Sequence, residues 1–286
     1  MSLPVEIRHP GPPASAPFKT ARGLCVTHRV RLGAGGSLMQ HVADVMDAHG
    51  CDSGVIVLDG LRMGPYRYVG PDRSSDGVHA AWYSPPRAGA QATIGAGTAI
   101  VGRRDGAWWL HAHAVWTEDG HAALIAGHLL PDEVVLPETV EVTLHAFRGG
   151  AFEVSLNPET QFPIFHPTGG QNNGNAVIAK VNPHHDVSTS IRQIVRTAGF
   201  QAAEIFGVGS LIGASFTDGA PSMISSISEV FVMQSARFEQ DELALPMYCV
   251  DPEGGHFSGP LALGSSPVCV TFELLIINAA REGLLH

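Results

Sequence analysis

Basic side chains are scarce in this sequence. Its 286 residues include 17 lysines and arginines against 27 aspartates and glutamates, which gives a formal net charge of −10. Attraction to nucleic acid depends on clustered Lys and Arg side chains that neutralise phosphates. The densest basic positions, Arg103-Arg104 and the Arg29/Arg31 pair, are too small for such a surface. The composition therefore counts against a nucleic-acid partner without excluding one.

The sequence also lacks long apolar runs and CxxC pairs, and we expect no leader peptide. No apolar run approaches the ~20 residues of a membrane-spanning helix. Residues 1–20 are rich in proline and lack the apolar core of a secretion signal. The four cysteines, Cys25, Cys51, Cys249 and Cys269, form no CxxC pair. We therefore expect a soluble cytoplasmic protein with reduced thiols and no membrane partner.

Internal similarity is the most prominent feature of the sequence. Three segments match in the same order: residues 29–61 with 180–211, the stretches that begin at Leu110 and Leu245, and residues 139–142 with 271–274. A chain of this length suits two domains of ~100–200 residues. We therefore predict two copies of one strand–helix–strand unit, each followed by a hairpin.

The expected helices have clear start and stop signals. Ser37 and Asp186 are suitable N-caps, and Gly50 and Gly199 follow the helices at the position that favours a left-handed backbone. The apolar stripes are Leu38, Val42, Val45 and Met46 in the first helix, and Val187, Ile191, Ile194, Val195 and Ala198 in the second.

The predicted domain organisation follows from these copies. We expect a flexible Pro-rich arm over residues 1–19, a first domain over 20–156, a linker over 157–175 and a second domain over 176–286. The linker assignment rests on the polar, Gly-rich run TGGQNNGN.

The hairpin of the first copy contains the candidate functional residues. His111 and His113 are two apart and therefore share one face of a strand. Asp119-Gly120 is typical of a two-residue type I′ turn. Such a turn would place His128 directly opposite His111, with His113 as a diagonal neighbour. The pattern predicts three imidazoles on one sheet face.

Three neutral imidazoles with an open position are the ligand set of catalytic zinc sites, although other divalent metals can use the same ligands. The second copy has Pro246, Tyr248 and Pro260 at the corresponding positions, so its site is lost as a unit. Glu141, on the next predicted strand, is our candidate catalytic residue, either as a partner of a ligand or as a general base. The alternative for Glu141 is a purely structural pairing.

The hairpin sequence LHAHAVWTEDGHAALIAGHLL from Leu110, followed by VVLPETVEV, resembles the PPC domain. This family is also called DUF296, or PD1-like proteins, to which DNA binding is ascribed. Its pattern is an HxH strand, an acidic-Gly turn, a GGHL-like strand and a "tvEv" strand, and Ala126 replaces the first Gly here. The resemblance covers roughly residues 20–155, with a degenerate form over roughly 175–280.

The resemblance implies an α/β fold with a mixed, largely antiparallel sheet packed on one main helix in each of two tandem PPC-like domains. It also implies trimers, and it implies that His111, His113 and His128 are the metal-binding histidines. The fold is similar to that of acetolactate decarboxylase and a related ester hydrolase, which hold a metal with three histidines, but such an analogy names no reaction. Plant members contact DNA through AT-hooks, which this sequence lacks.

Three functions remain open at this point. The first is a zinc-dependent enzyme, or one using another divalent metal, of lyase or hydrolase type that acts on a small molecule. The second is a DNA-binding regulatory protein, and the third is a non-catalytic module that binds a metal or ligand.

Overall fold

The computed structural model describes residues 7–279. The first half of the chain contains β1 (Phe18–Leu32), α1 (Leu38–His49), β2 (Ser53–Val57), β3 (Arg62–Met63), β4 (Tyr66–Val69), β5 (Pro71–Asp72), β6 (Trp82–Tyr83), β7 (Arg87–Gly89), β8 (Ala92–Arg104), β9 (Ala107–Glu118), β10 (Leu124–Leu129), a 3₁₀ turn (Pro131–Glu133), β11 (Val140–Arg148), β12 (Gly150–Leu156) and β13 (Pro163–Gly169). The second half contains β14 (Ala176–Val181), α2 (Val187–Ala198), β15 (Ala202–Leu211), β16 (Glu229–Val232), β17 (Arg237–Glu239), β18 (Glu242–Ala244), β19 (Pro246–Val250), β20 (His256–Pro260) and β21 (Val268–Asn278).

Both helices begin and end at the predicted residues. The side chains of Ser37 and Asp186 accept hydrogen bonds from backbone N–H groups in the first turns of α1 and α2. Gly50 and Gly199 close the helices with a left-handed backbone, at φ 56° and 73°. The predicted caps are therefore confirmed. Neither of these 12-residue helices has the length and apolar character needed to span a bilayer.

The sheet is almost entirely antiparallel, as expected for a mixed, largely antiparallel fold. Nineteen strands are linked by hydrogen bonds, and the parallel pairing among residues 7–279 is a single contact of Glu153 with Arg103. The long strand β1 joins the two halves. Its residues 18–23 pair with β14, and its residues 24–32 pair with β11.

Corresponding strands of the two halves pair in the same register. Arg31 on β1 lies opposite Glu141 on β11, and Lys180 on β14 lies opposite Glu273 on β21. Arg31 precedes the first residue of α1 by as many positions as Lys180 precedes the first residue of α2. Glu141 and Glu273 are thus positional counterparts, which matters for the site described below.

The interior consists of a small hydrophobic cluster of Ala81, Ile227 and Cys269 and of three large ones. One lies beneath α1 and another beneath α2. The third is shared, because Ile100 and Phe147 of the first half pack with Phe231 and Leu275 of the second. The sheets of the two halves therefore lie face to face, with β8 and β9 against β15 and β16.

The expectation of a flexible linker over residues 157–175 is wrong. Within it, β13 pairs along its whole length with β12, and Phe165 is buried in the shared cluster. The apolar segment that precedes TGGQNNGN supplies most of this strand, which lies between a turn at residues 158–160 and a bend at residues 172–173.

The N-terminal arm is held against the fold rather than loose. The backbone N–H of Gly11 donates to the Glu159 carbonyl, and the N–H of Asn182 donates to the Pro17 carbonyl. The boundary predicted at residue 19 falls inside β1. Residues 1–6 of the predicted arm and 280–286 of the predicted second domain lie outside the described residues.

Candidate metal centre

The β9–β10 hairpin brings the three histidines together through a register that differs from the predicted one. His128 lies opposite His113 rather than His111. The connection is a loop over 119–123, and Gly120, with φ 81°, is its one residue with positive φ, whereas a type I′ turn needs two. The register is shifted by two residues, and a shift by an even number leaves every side chain on its predicted face.

The three imidazoles converge at the junction between the halves. Ring centroids are 4.6 Å apart for His111 and His113, 5.1 Å for His111 and His128, and 5.3 Å for His113 and His128. His113 is buried, with 1% of its surface exposed. The predicted cluster is thus present, and it faces the second half.

Groups of the second half fix the orientation of two of the rings. His111 Nδ1 lies 2.6 Å from Glu273 Oε2, and His113 Nδ1 lies 2.8 Å from the Val230 carbonyl oxygen. A carboxylate and a carbonyl only accept hydrogen bonds, so each Nδ1 carries a proton, and each Nε2 is the nitrogen available to a metal. The two Nε2 atoms are 3.0 Å apart. Two nitrogens bound to one tetrahedral zinc ion at ~2.1 Å would be ~3.4 Å apart.

Glu229 of β16 completes the cluster. Its Oε2 lies 2.6 Å from His113 Nε2, and one donor atom from each of Glu229 and the three histidines falls within 4.8 Å of the others. His128 Nδ1 is buried and has no hydrogen-bond partner among the described residues. An unsatisfied buried nitrogen is costly, so this donor set fits a bound cation.

The electrostatic surroundings differ between the rings. Burial lowers the pKa of His111, but the charge and hydrogen bond of Glu273 outweigh it and leave that pKa above its usual value. Burial, reinforced by His111 and His113, holds the pKa of His128 well below its usual value. His128 is therefore neutral near pH 7, which is the form that binds metals.

The structure does not bring Glu141 to this cluster. Glu141 forms an exposed ion pair with Arg31, at 3.3 Å on β1. Its counterpart Glu273 is fully buried and lies in the site instead. The sequence does contain a signal for Glu273, since it interrupts the apolar run of β21 and a buried charge requires a partner. Glu229 similarly begins a short buried strand.

A cavity of about 280 Å³ opens beside the cluster. Its polar lining includes His111, His128, Glu229 and Glu273. Most of its walls are apolar or aromatic, with side chains that include Trp82, Tyr83, Trp109, Phe162, Phe165 and Ile227. A small molecule in this cavity would therefore contact both the imidazoles and an apolar wall.

Comparisons with known proteins give fold-level likenesses only. No family model and no curated protein matches the chain. A metal-containing protein from Archaeoglobus fulgidus is 18% identical, with 52% of this chain and 97% of that chain covered at a TM-score of 0.39. A plant- and prokaryote-conserved (PPC) protein from Pyrococcus horikoshii is 16% identical, with 54% and 96% covered at 0.37. A Ralstonia eutropha protein to which DNA binding is provisionally ascribed is 16% identical, with 48% and 89% covered at 0.36. TM-scores below 0.5 establish neither a family nor a function for this chain.

Proposed function

We propose that this chain is a tandem PPC-type protein whose two halves jointly form one divalent-metal centre, and that it is a metal-dependent enzyme of lyase or hydrolase type acting on a small molecule. The tandem assignment is supported by the paired helices, their matching caps and the common register of Glu141 and Glu273. Assembly into trimers stays a prediction from the resemblance.

The main support for the proposal comes from the hydrogen-bond partners of Nδ1 in His111 and His113. Metal-binding histidines characteristically donate their second N–H to a carboxylate or a backbone carbonyl, which fixes the tautomer and the ring orientation. His111 and His113 have one partner of each kind, Glu273 and the Val230 carbonyl. With these partners in place, the two Nε2 atoms lie 3.0 Å apart inside the cluster.

Each residue of the centre has a distinct role in this proposal. His111, His113 and His128 hold the ion, for which zinc is our first choice because imidazole-rich sites with a carboxylate suit it. When bound, a divalent ion polarises a carbonyl or activates water. Glu229, with its carboxylate beside His113, accepts and returns protons, which is the role that the sequence suggested for Glu141.

Metal analysis of the purified protein tests the centre. We expect about one zinc ion per chain in the wild type and almost none in His113→Ala, measured by mass spectrometry of the eluted metal. His121→Ala is the matched control, because His121 is exposed in the hairpin loop and should leave the metal content unchanged. Equal metal content in wild type and His113→Ala would refute the centre.

Glu229→Gln separates an enzyme from a non-catalytic module. If Glu229 moves protons, the variant keeps its zinc but loses hydrolysis of p-nitrophenyl acetate, a general probe of zinc-activated water. If Glu229 is instead a fourth ligand, zinc affinity falls and the wild type lacks esterase activity, because four protein ligands close a structural zinc site. The second result would favour the non-catalytic module.

DNA binding has less support in the structure. The adjacent basic residues Arg103 and Arg104 lie over the rings of Trp108 and Trp109, and two cations are too few for a surface that binds phosphates. Titration with duplex DNA at low and moderate salt decides the matter, since binding that collapses as salt rises would restore this alternative.

A further inference from the structure

Arg104 is the one lysine or arginine among the described residues that line the cavity. Its side chain is exposed, so it lies at the cavity opening, and its guanidinium carbon is 5.0 Å from the centroid of the Trp109 ring. Among residues 7–279 no carboxylate lies within ion-pair distance of Arg104. This cation is therefore positioned by an aromatic ring but has no anionic partner.

The neighbouring Arg103 differs from Arg104 because its contacts are all structural. Its guanidinium lies 3.8 Å from the Trp108 ring centroid and donates to the Gly106 carbonyl at 3.1 Å. Arg103 does not line the cavity. The two arginines share a stacked geometry, and only Arg104 faces a space in which a ligand could lie.

The charges around the cavity favour an anionic ligand over a neutral one. Glu229 and Glu273 supply two negative charges there, and a divalent cation on the three histidines, together with the buried Lys180 opposite Glu273, would more than balance them. The unpaired charge that remains on the cavity lining is then the Arg104 guanidinium. Its planar fork of N–H donors matches a carboxylate in a bidentate geometry.

The walls limit the rest of the ligand. They are rich in aromatic rings, including Trp82, Tyr83, Trp109 and Phe162. A volume of about 280 Å³ lies just under the roughly 300–1,000 Å³ of sites for drug-sized molecules. Resting on the proposed metal centre, we infer that the substrate is a small monocarboxylate with an aromatic or branched apolar body, and that Arg104 binds its carboxylate.

Matched probes test this inference. Phenylacetate and its neutral analogue phenylacetamide are titrated into zinc-loaded wild type, Arg104→Gln and Arg103→Gln by calorimetry. We expect wild type and Arg103→Gln to prefer the acid by about tenfold, as for a hydrogen bond to a charged group. In Arg104→Gln we expect the preference to fall to about one while binding of the amide persists, which shows that the cavity is intact.

Several outcomes would overturn the inference. One is equal binding of acid and amide by the wild type, and another is an undiminished preference in Arg104→Gln, which would place the carboxylate on the metal. Absence of binding by either probe would also refute it. The metal content of each sample is measured separately, and the titrations are repeated on zinc-free protein. A wild type without zinc would therefore refute the metal centre, while the difference between the two arginine variants would still report on Arg104.

Discussion

The two halves of the molecule carry different parts of one site. In the first half, the β9–β10 hairpin supplies three imidazoles. In the second, the corresponding hairpin has Tyr248, which stacks on Phe231 with ring centroids 5.5 Å apart and shares a 2.9 Å hydrogen bond with His256 Nδ1. The second half contributes the carboxylates of Glu229 and Glu273 instead. The second half therefore lacks the three histidines but supplies carboxylates to the same cluster.

The largest expected difference between the halves is at the two equivalent glutamates. Glu273 is fully buried, and Lys180 is 1% exposed. The Glu273→Ala substitution therefore removes a buried anionic neighbour from both Lys180 and His111. We expect this variant to lower the free energy of unfolding by about 3–5 kcal/mol, as when one member of a buried charge network is removed. Urea denaturation of the zinc-free protein measures the change.

Glu141→Ala is the matched control from the first half. The Glu141 carboxylate forms only an exposed ion pair with Arg31, so we expect a change below about 0.5 kcal/mol. If the two alanine variants were destabilised to a similar extent, Glu273 would not be part of a buried charge network that Glu141 lacks.

A smaller difference is expected in the response to acid. Burial lowers the pKa of His145 to about 4, and its ring packs at a tilt against Phe206 of the second half, with centroids 4.2 Å apart. The counterpart of His145 on β21 is Ile277, which does not titrate. Between pH 6.5 and 4 the unfolded chain therefore binds a proton that the folded chain excludes.

The stabilisation from a neutral His145 is complete above pH 6.5 and is lost as the pH falls to about 4. The loss amounts to about 3 kcal/mol. We expect His145→Asn to unfold with a shallower dependence on pH over this window, measured by urea denaturation from pH 4 to 7. A residual dependence remains, because burial also lowers the pKa of His166 to about 4. An unchanged slope in His145→Asn would refute this contribution.

The smallest expected difference concerns the helix caps. Asp186 accepts hydrogen bonds from the backbone N–H groups of Thr189 and Ser266 and from the Ser188 hydroxyl. Ser37 accepts one, from a first-turn N–H at 3.2 Å. We expect Asp186→Ala to cost about 2 kcal/mol and Ser37→Ala about 0.5 kcal/mol, measured by thermal unfolding. Equal costs would show that the extra hydrogen bonds of the Asp186 cap contribute nothing.

Local features of this protein could be predicted from the sequence, whereas contacts between the halves could not. The helix ends were predicted because Ser37, Gly50, Asp186 and Gly199 act within a few residues of themselves. The common face of the three histidines was predicted because side chains alternate along strands, and it survived an error of two residues in the register.

Glu141 lies away from the three histidines for a physical reason. The sequence places Glu141 close to the histidines along the chain, but the partner of His111 is Glu273, 162 residues away. Its position depends on two sheets packing face to face through the shared cluster, and no local pattern encodes that arrangement. The linker was misjudged similarly, because the pairing of β13 with β12 fixes a segment that composition alone describes as mobile.

The continuous strand β1 has a consequence for synthesis of the protein. Its first six residues pair with β14, which follows roughly 150–160 residues later in the chain. At the usual 5–20 residues per second, the ribosome needs roughly 8–30 s to deliver that partner. Until then one end of β1 presents an unpaired edge, which is the kind of surface that invites aggregation. The nascent chain therefore has a vulnerable interval, and chaperone capture of ribosome-bound fragments through this end of β1 should decline once β14 has emerged.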